Sequence, residues 1–463
     1  MKDPVNDNSK KQRKMTVNQV KVYSTVSIIL IGILLSGIVS LQTSESSLAH
    51  ANGILIDFEK YDTTWFEYDL NVSHNPISLL DKCCKENNYE YTVEKGVVTE
   101  INGVSNNDTH SWGLWYVVKN STSWSKSDSY DIDMRNYSIV AWAYRDSETT
   151  PTVAVDATGV SIYGYPQAMR IVTLSPVATE TVGALKATGA IVGMDYYSNY
   201  PNSLNKARTE GRTATVGTYT DPSYELIMKQ SPDIVIADST QYNQVQVAKA
   251  IRDAGVNSVA LYQGEDMDTI YDNTFIVGTA IGYEMTAKNI IAEDGLGAKA
   301  VASKVAFTDK KRVMVALSPD SAPYVAGNYT YVNDIINTIS AENAFGSMKG
   351  WAHANTEMIA QKNADVIIII TESYKATQAE WDYMYSHLPD AWKLTNAYAN
   401  KEIYLVTGKA ADLASRAAPR FPQLSELLAE IIHPDSFETE VPKYIGDEYR
   451  DYLTITKYLS YDN

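Results

Sequence analysis

The segment that most constrains the fold of this chain occurs twice. Residues 225–236 read ELIMKQSPDIVI and residues 357–368 read EMIAQKNADVII, so a helix-length stretch with Glu near its start twice runs through Asp into an apolar strand. Each copy follows an Arg-led apolar stretch ending in Leu-Ser-Pro, at residues 170–176 and 312–319. The C-terminal two thirds therefore predict two similar lobes, and small molecules commonly bind in the cleft between such lobes.

Strand patterns and helix patterns alternate through both copies. Apolar strands at 170–174, 191–194, 234–237 and 258–262 are separated by helix-length segments, and the alternation resumes at residue 312. Such alternation predicts parallel sheets with right-handed crossovers. A mostly helical stretch between the copies predicts a stiff connection in place of a loose hinge.

The chain divides into segments of different composition. The residues before the first lobe form a polar unit rich in Trp and Tyr, with several strand patterns and one helix pattern, which predicts a small α+β domain. We predict a cytoplasmic tail and apolar segment at 1–51, the α+β domain at 54–146, a linker at 147–165, the first lobe at 166–284, the connecting helix at 285–308, the second lobe at 309–436 and a C-terminal extension at 437–463.

The N-terminal region predicts the compartment. Residues 22–41 contain no charged residue and follow a basic stretch, which the positive-inside rule keeps in the cytoplasm. Ala49-His50-Ala51 resembles a cleavage site, so the apolar segment is either a removed signal peptide or a retained membrane anchor. No cysteine follows it directly to carry a bacterial lipid. Everything after about residue 52 is predicted to lie outside the cytoplasm, at the cell surface or in the periplasm.

Composition excludes several functions. A formal net charge of -17 argues against a nucleic-acid partner, whose phosphates the surface would repel. The adjacent Cys83 and Cys84 offer no disulfide framework, and the six histidines include no His-x-x-x-His pair of a metal site. Neither a nucleophile elbow nor a phosphate loop is present. We therefore predict a protein that is not an enzyme, with no catalytic residue, no cofactor and no metal ligands of its own.

Several stretches resemble a known family. Residues 170–201, 216–239, 324–345, 350–369 and 416–434 are similar to the class III periplasmic binding proteins, the solute-binding proteins of ABC importers for cobalamin, iron-siderophore and haem. The resemblance covers about residues 165–436. It implies an α/β fold of two Rossmann-like lobes joined by a long helix, with a metal chelate held between the lobes. Residues 54–146 resemble the β-grasp-like domain at the end of transcobalamin-type proteins.

The resemblance also implies a membrane partner. In such proteins one Glu on each lobe docks onto arginines of the permease, and the matching positions are Glu225 and Glu357 of the internal repeat. Carboxylates on opposite lobes suit a symmetric permease dimer through charge-assisted pairs. The helix dipole also favours acids in a first turn, so a purely structural role stays open.

Candidate ligand contacts lie in loops at the carboxyl ends of the strands, which face the crevice of α/β proteins. They are Tyr196, Tyr197, Tyr200, Tyr219, Ser239, Tyr242, Tyr329, Trp351, His353, Tyr374 and Arg416. A corrin or porphyrin is a flat, partly apolar disc that suits aromatic side chains, whereas an anionic siderophore favours arginine, for which Arg416 and Arg420 are candidates. A second interpretation makes His353 an axial ligand of the chelated metal.

Three functions stay open at this point. The first is a binding protein that captures a corrinoid, ferric siderophore or haem and delivers it to an ABC permease and its ATPase. The second is an enzyme on a similar, chelatase-like two-lobed scaffold, because a fold does not determine a function. The third is a surface adhesin or sensor that binds through residues 54–146.

Overall fold

The computed structural model describes residues 53–59, 62–67, 70, 75–119, 124–146, 151, 154–162 and 167–461. All of them belong to one compact unit, Leu48–Asn463. The predicted apolar segment at residues 22–41 lies outside the described residues. Within the described ranges, no helix has both the length and the apolar character needed to cross a bilayer.

The first lobe is built on a five-stranded sheet in which every strand is parallel to its neighbours. In sheet order its strands are Ala214–Thr215, Ile191–Met194, Ile171–Thr173, Ile234–Asp238 and Asn257–Leu261. The helices are Pro176–Ala184, Asn202–Thr209, Tyr224–Lys229 and Tyr242–Asp253. The chain-initial strand lies in the centre, an order typical of Rossmann-like folds, so the predicted α/β fold is confirmed for this lobe.

The second lobe has a separate seven-stranded sheet. One side of the sheet consists of four parallel strands, Arg312–Ala316, Val366–Ile370, Ile403–Val406 and Tyr444–Ile445. The short strand Glu342–Asn343 pairs with Arg312–Ala316. The other edge consists of two antiparallel strands, Tyr324–Ala326 and Trp351–His353. The helices are Tyr331–Thr338, Thr356–Lys362, Gln378–Ser386, Asp390–Lys393, Asn396–Ala399, Gly408–Ser415 and Phe421–Ile432. The lobes thus differ after their first strand, because the second Leu-Ser-Pro leads into a strand and the first into a helix.

The two repeat copies make the same local bonds. Asp233 accepts a hydrogen bond from the backbone N–H of Arg170 at 2.9 Å and donates its own N–H to the Arg170 carbonyl at 2.8 Å. Asp365 makes the corresponding pair with Arg312, at 2.9 and 2.8 Å. Each Asp therefore ties the start of its strand to the Arg-led strand beside it. The sequence repeat is a structural repeat on two sheets.

The lobes are connected by the helix Glu284–Lys304, which follows the helix Met267–Ala280. The C-terminal residues reinforce this connection. Tyr444–Ile445 adds a strand to the second-lobe sheet, while Leu459 and Tyr461 are buried in the core of the first lobe. The predicted C-terminal extension is thus a strap that contacts both lobes.

The N-terminal residues form the α+β unit seen in the sequence. Its mixed sheet runs Asp62–Glu67, Gly53–Glu59, Tyr137–Arg145, Ser111–Val118 and Trp124–Lys126, with the helix Pro76–Asn87 and a smaller sheet of Tyr91–Glu94, Val97–Ile101 and Val104–Ser105. The Thr63 hydroxyl donates to Glu284 at 2.9 Å, so this unit contacts the start of the connecting helix. Its likeness to transcobalamin-type domains stays a prediction.

Part of the predicted linker has structure of its own. Strands Ala154–Val155 and Ser161–Ile162 pair as a hairpin. The buried Asp156 accepts a hydrogen bond from the Ala260 N–H at 2.9 Å, on the edge strand of the first-lobe sheet. The hairpin therefore covers an edge that would otherwise offer free backbone groups to other chains.

Gly264 marks a close approach of the two lobes. Its carbonyl accepts a hydrogen bond from the Tyr331 N–H at 3.2 Å, and a Cβ at Gly264 would lie 2.1 Å from the Ala417 Cβ. We expect Gly264→Ala to lower the free energy of unfolding by about 1–3 kcal/mol through overpacking. Urea denaturation measures this, with Gly189→Ala as control, because a Cβ added at Gly189 would have no atom within 4 Å other than those of its chain neighbours. Adding Ala417→Gly should restore stability; failure to do so would contradict the proposed contact.

Glu430 should make stability depend on pH. Its side chain is buried, and burial together with nearby Glu426 raises its pKa to about 8. In the unfolded chain a Glu titrates near about 4.3, so between about pH 4.3 and 8 only the folded state keeps the proton. Stability should therefore fall by up to roughly 1.4 kcal/mol per pH unit as pH rises through this window. Urea denaturation from pH 5 to 8 should show this slope in the parent protein and a smaller one in Glu430→Gln; equal slopes would contradict the assignment.

Candidate functional site

The candidate site lies where the strands of both lobes end. We define the first-lobe edge as residues 195–200, 216–219 and 239–242, and the second-lobe edge as residues 317–324, 353, 371–374, 407–416 and 446–448. Residues at the carboxyl ends of parallel strands meet at one side of a sheet, where α/β proteins bind ligands.

One loop of the first-lobe edge displays two tyrosines on a fixed backbone. Arg208 donates to the carbonyl oxygens of Asp195, Tyr196 and Ser198, at 3.1, 2.9 and 2.5 Å. The buried Asp195 carboxylate accepts from the Tyr197 N–H at 2.7 Å and from the Ser198 hydroxyl, and burial raises its pKa. Tyr196 and Tyr197 are 61% and 55% exposed, with ring centroids 5.3 Å apart. The loop therefore presents aromatic surface without depending on a ligand for its shape.

A second group on this edge surrounds Tyr219. The Tyr219 hydroxyl lies 2.8 Å from the Thr240 hydroxyl and donates to Asp238 at 3.3 Å, while burial raises the pKa of Tyr219. Ser239 follows Asp238 directly, and its N–H donates to a carbonyl of the neighbouring strand at 3.1 Å. Tyr242 begins the next helix and is 75% exposed. These groups offer both hydrogen-bond donors and acceptors.

The second-lobe edge carries a stacked pair. The rings of Tyr324 and His353 have centroids 3.7 Å apart, and His353 Nδ1 lies 2.9 Å from the Ala322 carbonyl oxygen. Tyr374 is half-buried in the loop after Val366–Ile370, where the Thr407 hydroxyl donates to its carbonyl at 2.7 Å. His353 and Tyr374 therefore both belong to this edge.

Two other predicted contacts lie elsewhere on the same hairpin. Tyr324 pairs with His353 and Ala326 pairs with Trp351, so Trp351 is two residues farther from the edge. Tyr329 comes three residues after Ala326, with a left-handed φ of 56°, an exposed ring and the Lys349 ammonium 5.1 Å from its centroid. Strand register thus separates these two aromatics from His353.

Arg416 takes part in a buried inter-lobe cluster. Its guanidinium donates to Glu180 of the first lobe at 2.6 Å, to Asn199 at 2.8 Å and to Asp412, and only 8% of the residue is exposed. Arg420 donates to the same Glu180 carboxylate at 2.8 and 3.0 Å. One first-lobe carboxylate therefore binds two second-lobe arginines.

Tyr200 belongs to the same cluster. Its ring lies over the Arg420 guanidinium at 3.7 Å, and its hydroxyl accepts from Arg450 at 2.9 Å. We name the set the inter-lobe cluster: Glu180, Asn199, Tyr200, Asp412, Arg416, Arg420 and Arg450. Sequence reasoning missed Glu180, although it is the single charged residue in the helix Pro176–Ala184 and hence a visible exception.

A cavity of about 270 Å³ lies beside this cluster, lined in part by Glu180, Tyr200, Arg420 and Tyr461. Pockets for drug-sized molecules usually measure roughly 300–1,000 Å³. A macrocyclic chelate is larger than this cavity.

The repeat glutamates occupy the same position on both lobes. Ser223 caps one helix by accepting from the Leu226 N–H, and Asn355 caps the other by accepting from the Met358 N–H, at 3.3 and 2.8 Å. Glu225 and Glu357 are each the second residue after the cap, and both are exposed. Across the described ranges, neither carboxylate has a hydrogen-bond or ion-pair partner within the chain.

Comparison with known proteins then decides the family. Residues 171–410, more than half of the chain, match the family model described as periplasmic binding protein. The chain belongs to this family. The predicted resemblance is thereby confirmed, and this family consists of substrate-binding proteins. Within the described ranges of this binding protein, no group of three His, Cys, Asp or Glu residues is placed to hold a metal ion.

Two curated relatives of this binding protein are informative. It is 27% identical over 300 residues to an uncharacterized ABC transporter substrate-binding lipoprotein, YvrC, of Bacillus subtilis, covering 64% of this chain and 90% of the relative. It is 24% identical over 222 residues to a cobalamin-binding protein of Halobacterium salinarum, covering 47% of this chain and 58% of that protein.

Solved structures show the same fold. A possible iron-binding, periplasmic solute-binding protein from Staphylococcus epidermidis is 26% identical, with a TM-score of 0.50, covering 58% of this chain and 99% of that one. A periplasmic haem-binding protein from Pseudomonas aeruginosa is 19% identical, with a TM-score of 0.52, covering 60% and 97%. At that lower identity the likeness concerns the fold alone.

Proposed function

We propose that this protein is the substrate-binding component of an ABC importer and delivers a metal chelate to a membrane permease and its ATPase. The observation that carries the proposal is the pair of exposed glutamates, Glu225 and Glu357, at identical positions of two repeated helices on two separate sheets. Two equivalent acids on two lobes suit a partner that presents two equivalent basic sites. The relative YvrC, a substrate-binding lipoprotein, supports action outside the cytoplasm.

The chelate is proposed to bind between the two lobe edges. Tyr196 and Tyr197 offer exposed aromatic faces on the first-lobe edge, and the pair formed by Tyr324 and His353 offers another on the second. A flat macrocycle buries its faces best against such rings. The descriptions of two similar proteins, a cobalamin-binding protein and a possible iron-binding protein, support corrinoids and iron complexes as the ligand classes. In this proposal Arg416 positions the lobes.

Isothermal titration calorimetry of the purified protein tests the proposal. Cyanocobalamin, haem and a ferric hydroxamate would be titrated separately into the same preparation. We expect a dissociation constant of about 1 μM or lower for at least one of them, as capture from dilute medium requires. Absence of binding to all three would overturn the chelate assignment.

The two tyrosines of the first-lobe edge should contribute directly to affinity. Tyr196→Ala combined with Tyr197→Ala removes two exposed rings, each worth about 0.5–1.5 kcal/mol in an aromatic contact, so affinity should fall roughly 5-fold to 150-fold. Calorimetry with the bound chelate measures the change. Tyr458→Ala, which removes an exposed tyrosine of the C-terminal strap, is the control and should have no effect. Affinity within twofold of the parent protein would move the ligand away from this loop.

A further inference from the structure

We infer that the crevice selects chelates whose rim carries amides or other uncharged polar groups, and that it discriminates against chelates with a carboxylate rim. The inference rests on the proposed function, and it concerns the class of chelate. It follows from what the charged side chains of the two edges already bind.

The arginines close to the two lobe edges already donate hydrogen bonds to groups of the protein itself. Arg208 uses its guanidinium on three backbone carbonyls of the loop at residues 195–200. Arg416 and Arg420 share the Glu180 carboxylate, and Arg450 donates to the Tyr200 hydroxyl. Recognition of a ligand carboxylate favours the two-pronged donor geometry of a guanidinium. To bind a ligand carboxylate, one of these arginines would have to break hydrogen bonds that hold a loop or a lobe in place.

The second-lobe edge is instead acidic. Glu372 lies in the loop after the strand Val366–Ile370, close to Asp412, and burial together with Asp412 raises its pKa. Asp447 follows the strand Tyr444–Ile445 and accepts a hydrogen bond from the Lys409 N–H at 3.0 Å. A ligand carboxylate entering this edge would meet charges of its own sign.

Lysines of this region do not reverse that sign. The Lys409 ammonium lies 4.0 Å from the Asp447 carboxylate, and the Lys349 ammonium lies over the ring of Tyr329, away from the edge. Lys375 is exposed next to Tyr374 and adds one positive charge. Lys409, Arg416 and Lys375 are outnumbered by the acids of this edge, which are Asp320, Glu372, Asp412, Asp447 and Glu448.

The first-lobe edge suits an amide rim. An amide both donates and accepts hydrogen bonds, so it needs both kinds of partner. Tyr219 and Thr240 supply hydroxyl groups that can do either, and the exposed rings of Tyr196 and Tyr197 supply apolar area. Acids on the opposite edge can accept from amide N–H groups, whereas they repel carboxylates.

Matched ligands test the inference directly. Calorimetry of the full protein would compare cobinamide, a corrin with an amide rim, with the corresponding corrin heptacarboxylate, and haem with its dimethyl ester. We expect the amide corrin to bind at least tenfold more tightly than the heptacarboxylate, and the ester to bind more tightly than haem. Equal or tighter binding of the carboxylate forms would overturn the inference and leave the importer function standing. Binding of none of the four would overturn the inference, and the importer function falls with it only if the ferric hydroxamate also fails to bind.

A charge variant adds a second test on the protein side. Glu372→Lys should raise the affinity for the heptacarboxylate about fivefold and lower the affinity for cobinamide, since one repelling charge becomes an attracting one and an acceptor for amide N–H groups is lost. Glu342→Lys is the matched control, because Glu342 is an exposed acid that lies opposite Arg312 in the strand register, at the amino end of the same sheet. An unchanged ratio between the two corrins in Glu372→Lys would contradict the proposed acidic edge.

Discussion

Reversing both repeat glutamates, Glu225→Arg with Glu357→Arg, is expected to reduce chelate uptake by at least about 100-fold. Hydrogen bonds to charged groups contribute about 1.5–3 kcal/mol each, so losing two of them already accounts for a factor of this size. The new arginines would also face a basic partner. Uptake of radiolabelled or fluorescent chelate by cells, or by proteoliposomes that contain the permease, measures the effect.

The same double variant should bind its chelate with unchanged affinity. Both acids are exposed in the first turns of helices that begin at Tyr224 and Thr356, and neither belongs to the two lobe edges. Asp268→Arg is the matched control, because Asp268 is also an exposed acid in a first helical turn but lies outside the repeat. If the helix dipole were the whole reason for these acids, all variants would lose a little stability and none would lose uptake. A fall in chelate affinity would instead assign Glu225 and Glu357 to ligand binding.

Glu180→Gln is expected to lower the free energy of unfolding by about 3–5 kcal/mol, the usual cost of removing one partner from a buried ion pair. Glu180 is 3% exposed and accepts from both Arg416 and Arg420. The neutral amide would leave two buried guanidinium groups without their shared counter-charge. Urea denaturation followed by circular dichroism measures the loss.

An exposed pair provides the comparison for Glu180. Glu210 lies 2.6 Å from Arg212 on the surface of the same lobe, and Glu210→Gln should cost less than about 1 kcal/mol because solvent screens the pair. A Glu180→Gln protein with stability close to that of the Glu210 variant would show that the inter-lobe cluster does not hold the lobes together. Glu180→Asp keeps the negative charge but shortens the side chain, and we expect an intermediate loss in the free energy of unfolding.

Much of the architecture was predictable from local patterns. The strands at Ile191–Met194 and Ile403–Val406 are short apolar runs, each followed directly by a polar residue. The cap at Ser175 is followed by Pro at the first helical position. These signals depend only on residues close together in the sequence, so they can be recognised before the fold is known. Helix starts are harder to predict. Asp221-Pro222 has the pattern of a cap followed by Pro, yet the helix begins at Tyr224 with Ser223 as its cap, because the Ser223 side chain accepts a hydrogen bond from the N–H of Leu226.

The candidate site shows the limit of such reasoning. Tyr196 and Tyr197 were found because they directly follow a strand, and loops in that position face a crevice. Tyr200 and Arg416 were chosen by the same rule, but they contact Arg420 and Glu180 between the lobes. No local pattern distinguishes an arginine available to a ligand from one that is already bound.

The amino-acid sequence alone was therefore enough to establish the repeat, the α/β class, the family and the two matching glutamates, because each of these can be recognised in short segments of the chain. Folding in three dimensions was needed to bring Arg416 to Glu180 across 236 positions, to place the C-terminal strap against both lobes and to leave the second-lobe edge acidic. Contacts of that kind depend on how whole sheets and helices pack, and a charged side chain acquires its role only when its partner is known.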